Sequence, residues 1–425
     1  MKIAVVGGGF TGLSCALTLL ESGAEVVLFE ERSALGGLAG GVKEKNWKWS
    51  LEYFYHHVFT NDKEILALAK KVGVKILIEK PVTTSFINKK EVQLDSPLSV
   101  LKFSGLSLFG RLQMGIGLAI LKIIPNGVFL EKYLVEESLP KLIGKEGYSV
   151  IWEKLLRAKF GPFAGTVNMA WFWTRVAKRT KNLGYFEEGF QNLADKTGEK
   201  IVKMGGEIIL GTEIATVRNT ETRNDEANLK GRKWTINEEE FDGVVMTTPA
   251  PVTENILTEE VVFPKVEYLW GQTVMLELNQ KLISGYWMNV LEKNWPFLVV
   301  VEHTNMIDKK CYGNNRVVYL GNYLPEGDKQ LTMNKEELVM AYLPYLRKVN
   351  KLFRKKWIKS VAVFREPFAQ PVFPIKYSAM LPKMKTKYPG LYLANMSMVY
   401  PFDRGTNYAV KMGKDVAKQV LSDIR

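Results

Sequence analysis

The apolar run at residues 2–6 ends in Gly7, Gly9 and Gly12, and a second run, 25–29, ends in Glu30, eighteen residues after the last of these glycines. No other stretch restricts the fold so narrowly. Gly7 permits a tight turn out of a strand, Gly9 lets backbone approach a pyrophosphate, and Gly12 lets a helix over 13–22 pack closely on a sheet. Phe10 and Thr11 open that helix, whose unpaired N–H groups and dipole favour phosphate. Glu30 is placed to accept hydrogen bonds from a ribose. The pattern predicts the βαβ unit of a Rossmann-like dinucleotide-binding domain.

The residues after Glu30 point to FAD rather than NAD. Glu31 and Arg32 lead into Gly36, Gly37, Leu38, Ala39, Gly40 and Gly41, a second glycine-rich turn that a nicotinamide site does not require. It brings another stretch of backbone to the cofactor, and Arg32 offers a cation near phosphate or ribose. Here the chain resembles the flavoprotein group of protoporphyrinogen oxidase, flavin amine oxidases, phytoene desaturases and UDP-galactopyranose mutase. The Gly36-Gly37 doublet stands where that group places its second FAD motif. Many members follow the doublet with Arg; this chain has Leu38.

With 425 residues, the chain is long enough for two or three domains, and 46% hydrophobic with 24% charged residues describes a globular protein. The first strand starts directly after Met1, so no signal peptide is expected. Two cysteines, Cys15 and Cys311, exclude a disulfide framework and suit a reducing cytoplasm. The net charge of +13 needs a partner or a location. No nucleic-acid recognition motif and no metal-ligand spacing accompanies it, so no nucleic acid or metal is expected. A phosphorylated substrate or the anionic inner face of a membrane fits better.

The apolar stretch 106–125 is interrupted by Arg111 and Lys122, with ten uncharged residues between them. That is too short to span a bilayer. It reads either as a helix pair buried in a substrate domain or as a segment dipping into one leaflet.

Further along, Tyr53 to Asp62 carries His56 and His57, two of three histidines. The phrase from His57 to Ile65 is similar to the flavin-proximal stretch of UDP-galactopyranose mutases, which implies an imidazole beside the flavin. Residues 75–185 read as helical and apolar, with Trp152, Phe160, Phe163, Trp171, Phe172 and Trp173 as core, and Arg175 as a cation available to a substrate. From 186 the chain returns to the cofactor domain. A helix runs to Lys203, strands are expected at 206–210 and 212–217, and the polar stretch 219–232 reads as a hairpin tip. The resemblance places backbone near Ile214 against adenine, and the turn containing Thr248 over FAD.

Residues 272–278, 296–303 and 316–320 alternate as antiparallel strands, with His303 beside Glu302. Neighbours in a strand face opposite ways, so these two cannot form an acid–base dyad with each other. At the C-terminus a strand ends at Asn395, and Arg404, Thr406, Asn407 and Tyr408 open a final helix. In the resembling flavoproteins that helix holds the ribityl chain and one edge of the flavin. Asp403 and Arg404 are also placed to form an ion pair.

The expected fold is α/β, a Rossmann-like FAD-binding domain in three pieces (1–74, 186–255 and 385–425) with an inserted α+β substrate domain in two (75–185, helical, and 256–384, antiparallel sheet). The resemblance implies an FAD-dependent oxidoreductase that takes a hydride from an apolar or amine substrate, with His56, His57, Arg175 and His303 as catalytic candidates. The alternative is a mutase-like flavoenzyme acting on a nucleotide sugar without net redox change.

Overall fold

The computed structural model describes residues 1–220, 233–402 and 404–424. Its organising element is a sheet of five parallel strands in the order Glu207–Ile209, Glu25–Phe29, Lys2–Val6, Gly243–Met246, Leu391–Leu393. Both faces are covered, which is why the strands read as unbroken apolar runs. Ile3, Val5, Val26 and Leu28 pack toward the helices Phe10–Glu21, Gly189–Lys203 and Thr406–Ile424. Ala4, Val6, Val27 and Phe29 instead meet Trp234, Ile236 and Phe241 of a small antiparallel sheet, Val217–Asn219, Trp234–Ile236 and Glu239–Phe241.

The second large sheet has seven strands, in the order Ile358–Pro371, Tyr268–Leu278, Arg316–Leu324, Val299–Glu302, Trp287–Val290, Thr83–Ile87, Lys90–Gln93. One face carries Val274, Leu276, Val318 and Leu320 against the helix Lys335–Val349. The other packs Met275, Val299, Val301 and Tyr319 into the core shared with the parallel sheet and its helices. Residues 97–177 form the helical part, centred on Leu139, Phe160, Trp171 and Trp173.

Three sequence expectations are corrected. Residues 76–93 are strands, not helix, because Thr83–Ile87 pairs in parallel with Trp287–Val290 and Ile76–Glu79 pairs with Leu183–Phe186. Residues 212–216 take no regular structure, and the strand expected there is Val217–Asn219. His303 lies outside its strand, which ends at Glu302, and opens a 3-10 turn. Of the expected hairpin tip, 221–232 lie outside the described residues, as does Asp403 with its expected ion pair.

Candidate functional site

Because all five strands of the first sheet run parallel, their C-terminal ends share one edge. Gly7 and Gly9 follow Val6, Glu30 follows Phe29, Ile214 lies shortly after Ile209, Thr248 follows Met246 and Asn395 follows Leu393. That edge is where open α/β sheets bind their ligands.

The glycine turn is held by backbone contact. A Cβ on Gly12 would stand 1.9 Å from the Gly7 carbonyl oxygen, so no larger residue fits between this helix and the strand. Glu30 does more than the sequence suggested. Its Oε2 accepts the Gly8 amide at 2.6 Å and its Oε1 the Arg32 amide at 3.0 Å. The Gly36 amide in turn donates to the Gly8 carbonyl at 2.9 Å. The acid therefore ties the two glycine turns together, and a ribose hydroxyl would use its remaining lone pairs. Gly8 escaped the sequence reading. A Cβ there would come within 2.9 Å of Glu30 Oε2 and 2.8 Å of Leu35.

Leu38 and Ala39 sit in the 3-10 turn Gly37–Ala39, beside a cleft of about 270 Å³ lined by Arg32–Leu35, Gly37, Gly40 and Tyr53. Glu31 is exposed. The Arg32 guanidinium reaches across to Glu366 at 2.5 Å, linking this turn to the strand Ile358–Pro371 of the other sheet. Ile214 is buried, and Thr248 shares a hydrogen bond with Thr253 at 2.8 Å.

Asn395 is 1% exposed, and its Oδ1 accepts from the Ser397 amide and hydroxyl. Its Nδ2 is buried without a protein partner among the described residues. Such a donor costs about 1–3 kcal/mol unless something else satisfies it. Thr406 begins the C-terminal helix. Asn407 accepts the Glu64 and Ile65 amides at 2.9 and 3.3 Å and so caps the helix Lys63–Val72. Tyr408 stacks on Phe402, with centroids 4.5 Å apart.

The catalytic candidates separate into two places. Arg175, on the helix Met169–Ala177, lies over Trp171 at 5.0 Å. Arg404 donates to the Ala369 carbonyl at 2.6 Å, to Gln370 Oε1 at 3.2 Å and to the Tyr323 hydroxyl. Both cations act on Tyr55, whose phenol burial pushes up to about 12 while they pull it down. Burial also lowers Arg404 to about 10. Lys159 joins them, 4.6 Å over Tyr323 and 5.5 Å over Trp171. Tyr55, Tyr323 and Lys159 were not anticipated. Only Tyr55, beside the named histidines, had a local signal.

His56 adjoins this group through Arg404. Its Nδ1–H donates to the Phe54 carbonyl at 2.6 Å, leaving Nε2 as an acceptor. Burial lowers it to about 4. His57 lies among Phe59, Tyr286 and Trp287 with ring centroids 5.5–6.1 Å away, and burial lowers it to about 3. Both imidazoles are neutral at pH 7.

His303 belongs elsewhere. It is 2% exposed, bonded through Nε2 to the Tyr312 hydroxyl at 2.8 Å. Tyr312 hydrogen-bonds to Tyr185, which donates to Glu52 at 2.9 Å. This closed chain lies within the core between the cofactor domain and the large sheet.

A profile of the flavin containing amine oxidoreductases matches residues 10–421. The chain belongs to that family. FAD is its cofactor. The zeta-carotene desaturase of Capsicum annuum is 37% identical over 90 residues, 21% of this chain and 15% of that protein. A flavin-containing amine oxidase of Danio rerio is 38% identical over 73 residues, 17% of this chain and 14% of that protein. These alignments thus span about one-seventh of the relatives they match. Among solved structures, a reduced UDP-galactopyranose mutase superposes with a TM-score of 0.77 at 15% identity, covering 99% of this chain and 95% of that one. A putrescine oxidase with bound putrescine gives 0.71 at 15% identity and 99% coverage of both. At such identities the superpositions speak for the fold alone.

The residues present fit FAD. The two glycine turns bring backbone to one edge, the cleft beside Gly37 could take one part of the cofactor, and the unpartnered Asn395 Nδ2 supplies a buried donor on the same edge.

Proposed function

We infer that the protein oxidises a small, apolar or amine molecule, with Tyr55, His56, His57, Arg175 and Arg404 facing the substrate. When bound, FAD supplies the hydride acceptor at its N5 position. The chain's own part is to bind, orient and keep dry. The aromatic rings of Tyr55, Trp171, Trp287 and Tyr323 surround the reacting region, and Tyr55 meets Trp287 edge-on at 5.0 Å. With its Nδ1–H fixed on Phe54, neutral His56 offers Nε2 as a hydrogen-bond acceptor to a substrate N–H or O–H. The observation that carries this reading is the convergence of the aromatic and cationic group with the imidazole of His56, in a chain whose parallel sheet carries two glycine turns at its C-terminal edge.

A second reading has its own observation. Arg175, Arg404 and Lys159 gather around two rings, and this suits the diphosphate of a nucleotide sugar, as in a mutase without net redox change. We further place the protein in the cytoplasm, in contact with the inner face of the membrane, on the strength of its charge and cysteine content.

Anaerobic titration of the holoenzyme distinguishes the two. Under the first reading, a polyprenyl, porphyrinogen or amine compound bleaches the flavin band. Under the second, none does, and a nucleotide sugar is turned over only after chemical reduction of the flavin.

A further inference from the structure

The helix Leu108–Ile123 is apolar on both sides but packed on only one. Gly110, Met114, Gly117 and Leu121 are buried against the helical part of the substrate domain. The opposite stripe carries Leu108, Phe109, Leu112, Ile116, Ile120 and Ile123, which are 66%, 75%, 49%, 62%, 44% and 79% exposed. A surface helix of a water-soluble face carries charged or polar residues along that stripe. Here the spacing i, i+4, i+8 is filled by large aliphatic side chains, and Gly115 and Ala119 complete it.

The charges on the stripe's own stretch of chain are cationic, with Asp95, Glu131 and Glu146 at its ends. Residues 96–130 contain Lys102, Arg111 and Lys122 and not one Asp or Glu. The Glu146 carboxylate that meets the start of the helix is already held by the Ser107 amide at 2.7 Å and hydroxyl at 2.5 Å. Arg111 donates to the Leu101 and Leu106 carbonyls at 2.8 Å, which fastens the preceding short helix, with Leu98 69% exposed, beside the stripe. At the other end, Lys122 donates to the carbonyls of Val176, Ala177 and Arg179 at 3.1 Å. That anchors the stripe to the segment carrying Arg175, and Arg179 acts electrostatically on His57.

No helix among the described residues is long and apolar enough to cross a membrane. We propose that the outer stripe of Leu108–Ile123 inserts into one leaflet of an anionic bilayer, lying in its plane with Lys102, Arg111 and Lys122 at the headgroups. A continuous apolar ridge that carries only Arg111 and Lys122 as charges, on a chain of net charge +13, matches a surface whose interior is apolar and whose headgroups are negative. A protein partner of ordinary composition would instead present polar groups to a rim of both signs. Its Lys122 end is tied to residues 176–179, next to Arg175 of the proposed substrate region, so docking would bring that end of the enzyme to the leaflet. The docking itself does not depend on which reaction the flavin performs.

The test is co-flotation of the holoprotein with vesicles, comparing phosphatidylglycerol-containing with pure phosphatidylcholine membranes. We expect binding to the anionic vesicles, weakened by raised salt, and weaker by about tenfold or more in Phe109→Ser/Ile116→Ser. Both side chains are exposed, so the variant should keep its flavin spectrum and melting temperature, which separates loss of docking from misfolding. Three outcomes would overturn the proposal: no flotation with anionic vesicles, flotation that the double substitution leaves unchanged, or a concentration-dependent dimer in lipid-free solution that the same substitution abolishes. Failure of the proposed reaction with every substrate would leave the flotation result intact.

Discussion

The Glu30 carboxylate accepts the Gly8 amide at 2.6 Å, with Glu30 only 7% exposed, so the acid at the end of one strand and the glycine at the end of its neighbour form a single rigid corner. The second oxygen holds Arg32 and thereby the start of the next turn.

Replacing Glu30 by Gln keeps the size but removes the charge from two amide hydrogen bonds. Bonds to a charged group contribute roughly 1.5–3 kcal/mol. We predict FAD binding weakened about ten- to hundredfold in Glu30→Gln, measured by flavin fluorescence titration of apoprotein. Unchanged affinity would mean that the corner forms without the charge.

Asn395→Asp retains the acceptor used by Ser397 and replaces the unpartnered Nδ2 donor by an oxygen. If that donor meets the cofactor, affinity for FAD should fall by more than about tenfold, since a buried acceptor is then set against an acceptor. The melting temperature of the apoprotein should move much less. Equal FAD affinity in variant and parent would remove Asn395 from the cofactor site.

Glu52 offers a test by pH. It is 1% exposed, and burial raises its carboxyl to about 7, against hydrogen bonds from Phe190 and Tyr185 that pull it down. An acid raised in the folded state binds its proton more tightly there than in the unfolded chain. Its contribution is therefore fully present below the unfolded value, near 4.5, and is lost as pH rises toward 7. Relative to Glu52→Gln, the parent should lose roughly 2 kcal/mol between pH 5 and pH 7, read from urea unfolding at the two pH values. A constant difference would show that Glu52 is ionised in the fold throughout.

The histidines work the other way. His56 and His57 lie far below 6.5 because burial disfavours the imidazolium. They stay neutral from pH 6 to pH 8, and the stability they contribute is lost as pH falls from 6.5 toward their folded values. The rate of flavin reduction should show no inflection from either imidazole between pH 6 and pH 8. If parent enzyme shows an inflection near 6.5 that His56→Gln or His57→Gln abolishes, that imidazole titrates freely.

Much of the glycine-turn geometry was legible because it is local. Gly7, Gly9, Gly12 and Glu30 act through turns and strand ends whose geometry a short stretch of chain dictates. The strands at 76–93 were not legible, since Ile76–Glu79 has an exposed, non-alternating pattern and Thr83–Ile87 finds its parallel partner some two hundred residues away. His303 was singled out by its place beside Glu302 in a polar cluster at an expected strand, whereas its environment, Tyr312 and Tyr185, is made by tertiary packing. Lys159 and Tyr323 come from separate elements and meet only in the fold, so nothing in their own neighbourhoods marked them.

The most direct test of the central claim is a single anaerobic mixing experiment, in which the oxidised holoenzyme meets a bleaching substrate carrying either hydrogen or deuterium at the reacting carbon. The account predicts loss of the flavin band in one phase, slowed several-fold by deuterium, with the oxidised product formed in an amount equal to the flavin reduced. A flavin that stays oxidised with every apolar and amine compound, while the dithionite-reduced enzyme isomerises a nucleotide sugar, would contradict it.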